Sequence, residues 1–130
     1  MEKNISFVVQ GQITNLTKKT IDSIRLYFPH SIIIISTWKN SIVDDLDYDF
    51  VVLSDDPGGV EAKVSGGIVN TLRQIISTSE GLKKCNTEYV AKIRSDMIFY
   101  GNNLPLYYER YKNLERNSEI FTSRVLILEN

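Results

Sequence analysis

The chain has 130 residues, 42% of them hydrophobic and 24% charged, with a formal net charge of −1. That suits one compact domain or part of a larger protein, and it sets up no long-range field to recruit nucleic acid. The single Cys85 excludes an internal disulfide, and the lone His30 excludes a Cys/His metal cluster.

The apolar pattern predicts alternating strands and helices. Ile5-Ser6-Phe7-Val8-Val9 reads as a strand ending at Gln10-Gly11. Thr14 or Asn15 is placed to cap a helix whose Ile21, Ile24 and Phe28 share a face widened by Leu26 and Tyr27, and Pro29 stops it. Residues 32–35, four consecutive Ile, predict a buried strand bounded by Ser31 and Ser36, and residues 50–53 predict another. Residues 54–67 form a long loop with Pro57, Gly58, Gly59, Gly66 and Gly67. Residues 68–84 read as an amphipathic helix, with Ile68, Val69, Leu72, Ile75, Ile76 and Leu82 on its apolar face and Asn70, Arg73 and Ser77 on a polar stripe. A strand over 89–93, a helix from Asn103-Leu104-Pro105 to about Arg116 and a strand over 121–128 complete the chain.

This β-α-β-β-α-β-α-β order predicts an α/β sandwich: a mostly parallel sheet flanked by helices. The chain stops just after an apolar strand, so a C-terminally truncated domain is expected. No apolar run approaches the ~20 residues of a membrane span. Residues 5–9 are too short for the core of a secretory leader. The expected location is the cytoplasm, with the inner membrane face as a place of work.

Several α/β chemistries are excluded. No G-x-G-x-x-G follows the first strand, and no G-x-x-x-x-G-K-[ST] or G-x-S-x-G occurs. Gln10 stands where a receiver domain or a haloacid-type phosphatase needs an acidic residue. In Asp45-x-Asp47-x-Asp49, Phe50 replaces the glycine of a calcium loop, so a solvated linker is the better reading.

Polar groups remain at the carboxyl ends of four strands: Gln10-Gly11, Ser36-Thr37-Trp38, Ser54-Asp55-Asp56 and Arg94-Ser95-Asp96. Parallel strands would bring them to one rim, where open α/β sheets bind ligands. Each has a plainer reading as a turn, a core aromatic or an ion pair that closes a strand. Asn70 and Arg73, in the first turns of the helix after the glycine loop, are placed to meet an anion at that rim. An Asp such as Asp96 suits a divalent cation, and Arg94 suits a phosphate.

The set Ile5-Ser6-Phe7-Val8-Val9-Gln10-Gly11, Ser36-Thr37-Trp38, Leu53-Ser54-Asp55-Asp56-Pro57-Gly58, Asn70-x-x-Arg73-Gln74 and Lys92-Ile93-Arg94-Ser95-Asp96 resembles the WavE-type lipopolysaccharide-synthesis glycosyltransferases. The resemblance runs from Ile5 to about Leu128. It implies a GT-A-type fold, with residues 1–130 as a single nucleotide-sugar-binding domain from the N-terminal part of a longer chain. It further implies transfer of a sugar from a nucleotide donor to a lipopolysaccharide or capsule glycan. Many such folds hold a metal with D-x-D; here Arg94 replaces the first Asp and leaves Asp96 as the ligand for Mg²⁺ or Mn²⁺. The implied donor-binding residues are Gln10, Gly11, Thr37, Trp38, Asp55, Asp56, Asn70, Arg73, Gln74 and Arg94; no catalytic base is identified. Two rivals are a non-catalytic nucleotide- or sugar-binding module and a sugar-phosphate nucleotidyltransferase. The latter wants a Gly-rich basic loop after the first strand, and Gly11-Gln12-Ile13-Thr14 does not supply one.

Overall fold

The computed structural model describes residues 4–64, 66–114, 125 and 127. The chain divides into two compact units, Met1–Tyr100 and Gly101–Asn130. The first unit is built on a four-stranded, wholly parallel sheet in the order β3-β2-β1-β6, from β1 (Ile5–Gln10), β2 (Ile32–Trp38), β3 (Phe50–Ser54) and β6 (Tyr89–Arg94). β1 is central and buried along its whole length, as a strand covered on both faces requires.

Register divides the sheet into two faces. Phe7 pairs with Ile33 and Ala91 on one, and Val8 with Ile34 and Lys92 on the other. Helix α1 (Thr17–Tyr27) covers the first face through Ile21 and Ile24, both fully buried. Phe7, Phe28 and Phe99 form an aromatic cluster on that side, with ring centroids 4.9–5.5 Å apart. The Phe99 amide donates to Ser23 Oγ at 3.0 Å, which ties the segment after β6 to α1. Neither Thr14 nor Asn15 caps the helix: Leu16 holds the capping position without a side-chain bond, and Thr14 Oγ1 accepts from the Leu16 amide at 3.1 Å in the turn before it. Leu26, expected on the apolar face, is instead exposed.

Helix α2 (Thr71–Lys83) lies on the second face, seated by its small residues. An ideal Cβ on Gly81 would stand 2.5 Å from Val8 Cγ1, so only glycine allows this approach. One turn earlier Ser77 is fully buried, and its carbonyl accepts from Ser36 Oγ at 2.6 Å. The expected orientation of this helix is therefore reversed. The end of its polar stripe meets the sheet, while Leu72, Ile75 and Leu82 stay largely exposed.

Two element boundaries differ from expectation as well. β2 continues through Trp38 because each of Ser36, Thr37 and Trp38 pairs with β3, opposite Val52, Leu53 and Ser54. α2 starts at Thr71, since Ile68–Val69 is a short strand, β5, paired antiparallel with β4 (Val60–Glu61). Gly66, at φ 67°, closes that hairpin by donating to the Ala62 carbonyl. The acidic linker is anchored rather than merely solvated. Arg25 reaches Asp47 Oδ2 at 3.2 Å and Asp49 Oδ2 at 3.0 Å, and Asp49 Oδ2 also accepts from the Ile33 amide at 2.7 Å.

In the second unit α3 (Leu104–Tyr111) begins with Pro in its first turn, as expected. The helix ends at Tyr111, short of the expected 116, with 112 and 113 in a turn, and the strand expected over 121–128 lies, apart from residues 125 and 127, outside the described residues, as do 115 and 116.

Candidate functional site

The strand order reverses at β1: β2 and β3 lie to one side of it and β6 to the other. In open parallel sheets a crevice opens beside such a reversal, at the carboxyl ends of the strands. Gln10 closes β1, and register sets it between Ser36 on β2 and Arg94 on β6, all on the α2-facing side.

Beyond Gln10 the chain must turn sharply without a side chain in the way. Gly11 does this at φ 119°, in the left-handed region, and its amide donates to the Ser36 carbonyl at 3.1 Å. A Cβ there would meet Ser95 Oγ at 3.2 Å. Ser95 is held from three sides. Its amide donates to the Gln10 carbonyl at 2.9 Å, its hydroxyl to the Gln12 carbonyl at 2.6 Å, and its carbonyl accepts from Thr20 Oγ1 at 3.1 Å. The loops after β1 and β6 are thereby locked together.

On either side of Ser95, Arg94 and Asp96 form a fork-to-fork pair: Nε to Oδ1 at 3.0 Å and Nη2 to Oδ2 at 2.7 Å. The start of α2 makes the opposite wall through Asn70 and Gln74. Behind it Arg73 donates to Asp56 Oδ1 at 2.7 Å, to Asp56 Oδ2 at 3.0 Å and to Asn70 Oδ1 at 2.9 Å. The Arg73 hydrogen bond, helped by the Gly58 amide, holds the Asp56 carboxyl below its ordinary pKa, and the same pairing raises that of Arg73. Burial, and then the charge of Arg94, lower the pKa of Lys92, two residues upstream on the same face of β6.

These groups enclose a cleft of about 350 Å³. The β1 loop supplies Gln10, Gly11, Gln12 and Thr14, α2 supplies Asn70 and Gln74, and the β6 turn supplies Arg94, Ser95 and Asp96. The lining is rich in amides, and none of its residues carries a purely hydrocarbon side chain. Gln10 is 5% exposed, and its Oε1 is enclosed without a hydrogen-bond partner among the described residues. An acceptor left in that state costs about 1–3 kcal/mol. A larger open depression of about 400 Å³ lies between β3 and the end of α2. It contains no such acceptor, and its Glu80 is already paired with Lys83 at 2.6 Å.

Of the residues expected at the rim, Gln10, Gly11, Asn70, Gln74, Arg94 and Asp96 come together in the cleft. Arg73 and Asp56 buttress its wall through Asn70. Asp55 is outside the lining, paired with Lys39 at 3.0 Å. Trp38, two residues beyond Ser36 on the cleft side of the sheet, is half-buried and also outside it. Thr37 points to the other face, fully buried, with its hydroxyl 3.1 Å from that of Ser41. Ser95, expected at the rim with Arg94 and Asp96 but given no binding role, also lines the cleft, whereas Gln12 and Thr14 were not expected there. Their one sequence signal is adjacency to Gly11 and to the Arg94/Asp96 pair, because the bonds that place them run between distant segments.

The Asp96 expected to bind a divalent cation has both carboxylate oxygens engaged by Arg94. Asp55 and Asp56, the other rim carboxylates, are likewise paired with cations. Among the described residues no group of three or more His, Cys, Asp or Glu side chains converges as a metal site. A divalent ion at this rim would meet one carboxylate, Asp96, and would compete there with the Arg94 guanidinium.

A parallel sheet with helices on both faces and a polar cleft where its strand order reverses defines an α/β domain of the open-sheet class. Its sequence sharpens that assignment. The chain belongs to the WavE lipopolysaccharide synthesis family, whose model matches residues 5–130, and so to lipopolysaccharide synthesis. No curated protein and no solved structure matches it. Among the described residues no helix is long and apolar enough to cross a membrane.

Proposed function

We propose that the protein is a glycosyltransferase that takes a sugar from a nucleotide donor bound in this cleft and passes it to a lipopolysaccharide or capsule glycan. The observation that carries this reading is the polar cleft at the carboxyl edge of a parallel sheet, where Gln10 at the end of β1 pairs in register with Arg94 on the adjacent β6 and both line the opening. A nucleoside supplies N–H and O–H donors for the side-chain amides of Gln12, Asn70 and Gln74. A phosphate supplies the anion for Arg94. Gly11 lets the ligand approach the backbone closely.

In the transfer the bond between the anomeric carbon and the leaving phosphate oxygen breaks, and its electron pair stays on that oxygen. The acceptor hydroxyl oxygen bonds to the anomeric carbon, and its proton passes to a base. The cationic side of the cleft stabilises the charge that grows on the leaving group. On this reading the protein works in the cytoplasm, at the inner face of the membrane that holds the acceptor.

Calorimetric titration with UDP, GDP, ADP and CMP, and then with their sugar conjugates, tests this reading. Binding of at least one nucleotide, weakened by Gln74→Ala, is the expected result. Heats no larger than dilution across the whole set up to millimolar concentration would refute it.

A further inference from the structure

We infer that the donor diphosphate is held without a divalent cation: the Arg94 guanidinium takes the place of the metal, and Asp96 is the positioning residue that aims it. This rests on the donor-site reading above and adds the identity of the charge that meets the phosphates.

A metal ligand must offer free lone pairs to the cation. Asp96 turns both oxygens to Arg94, at 3.0 and 2.7 Å, in a planar two-point contact. A divalent ion would compete with the guanidinium for those oxygens and would find no second free carboxylate beside them, since Asp55 and Asp56 are themselves held by Lys39 and Arg73. The guanidinium, by contrast, has capacity to spare. Of its five N–H donors two are used by Asp96, and among the described residues Nη1 makes no hydrogen bond. The Arg94 side chain is 65% exposed and lines the cleft, so those remaining donors are open to a ligand.

The turn that carries the pair is rigid. Ser95, between the two charges, is fixed by its bonds to Gln10, Gln12 and Thr20, and the Met97 amide donates back to the Arg94 carbonyl at 3.3 Å. Such a turn presents a planar fork in one orientation, which is what two-point recognition of a phosphate needs. Charge agrees with this. Lys92 shares Arg94's face of β6, so this stretch of the strand end carries two cations against one carboxylate.

The test uses the full chain, stripped with EDTA, and titrates UDP, GDP and ADP beside their nucleosides, in EDTA and then in Mn²⁺. The expected result is diphosphate binding whose affinity agrees within about threefold between the two buffers. Arg94→Lys should weaken the diphosphate roughly tenfold or more while leaving the nucleoside unchanged, because the charge stays and the fork is lost. Asp96→Asn should weaken the diphosphate equally in EDTA and in Mn²⁺, an effect a purely structural residue would not confine to the phosphate-bearing ligand. Binding that appears only with Mn²⁺, or an Asp96→Asn loss seen only with Mn²⁺, overturns the inference and leaves the donor site standing. Failure of every diphosphate in both buffers overturns the inference together with the donor-site reading.

Discussion

Gln10→Met separates the cost of the unpartnered amide from its use. The side chain is 5% exposed, its Oε1 accepts nothing from the described residues, and Met has nearly the same length and volume. The substitution removes a desolvated polar group and restores an apolar one between Ser36 and Arg94 in the register. Relief of the unmet hydrogen bond is worth about 1–3 kcal/mol, and a repacking loss below about 1.5 kcal/mol opposes it. The net expectation is a gain of about 1 kcal/mol, which in a chain of this size raises Tm by roughly 3–5 °C. Nucleotide affinity should fall in the same variant, because Gln10 lines the cleft and the substitution removes its amide there. Thermal denaturation by circular dichroism gives the first quantity and calorimetric titration the second. A variant less stable than the parent, with unchanged nucleotide affinity, would show that the amide is satisfied in the free protein and serves the fold alone.

Two further outcomes follow from the same geometry. Gly81→Ala should lose stability by about 1–2 kcal/mol in chemical denaturation: overpacking against Val8 and Ser36, at 2.5 and 3.0 Å, outweighs the roughly 1 kcal/mol that alanine gains in a helix, and a more stable variant would contradict the close seating of α2. Asp56 has a lowered carboxyl pKa because of Arg73, so its contribution is present above the unfolded value and is lost as pH falls below about 4; Asp56→Asn should flatten that acid limb of a stability–pH series, and an unchanged limb would mean the pair does not persist in solution.

Much of the fold was legible because burial on both faces leaves a plain mark on a strand. The four isoleucines of β2 and the apolar run of β1 needed no partner to be read as interior strands. The breaks at Pro29 and at the glycine loop were equally local. The orientation of α2 was not legible. Its apolar residues suggested the buried side, yet Gly81 and Ser77 let the helix backbone sit against Val8 and Ser36, and that contact exists only between residues far apart in the chain. Ile68-Val69 read as helical for a similar reason, since the partner that makes them a strand is Val60-Glu61, across a glycine turn.

The site divides along the same line. From the sequence alone came the residue types at the strand ends: an amide after β1, an Arg and an Asp around β6, and a polar start to α2. Only the tertiary structure decided which of them meet. The order β3-β2-β1-β6 puts β1 beside β6, so Gln10 and Arg94 become neighbours although 84 positions separate them. The parity of β2 turns Thr37 away, and the turn after β6 folds Asp96 onto Arg94. Local propensity acts within a few residues, whereas hydrogen-bond register and helix seating are set by the whole sheet at once, which is why composition could name the participants and only packing could arrange them.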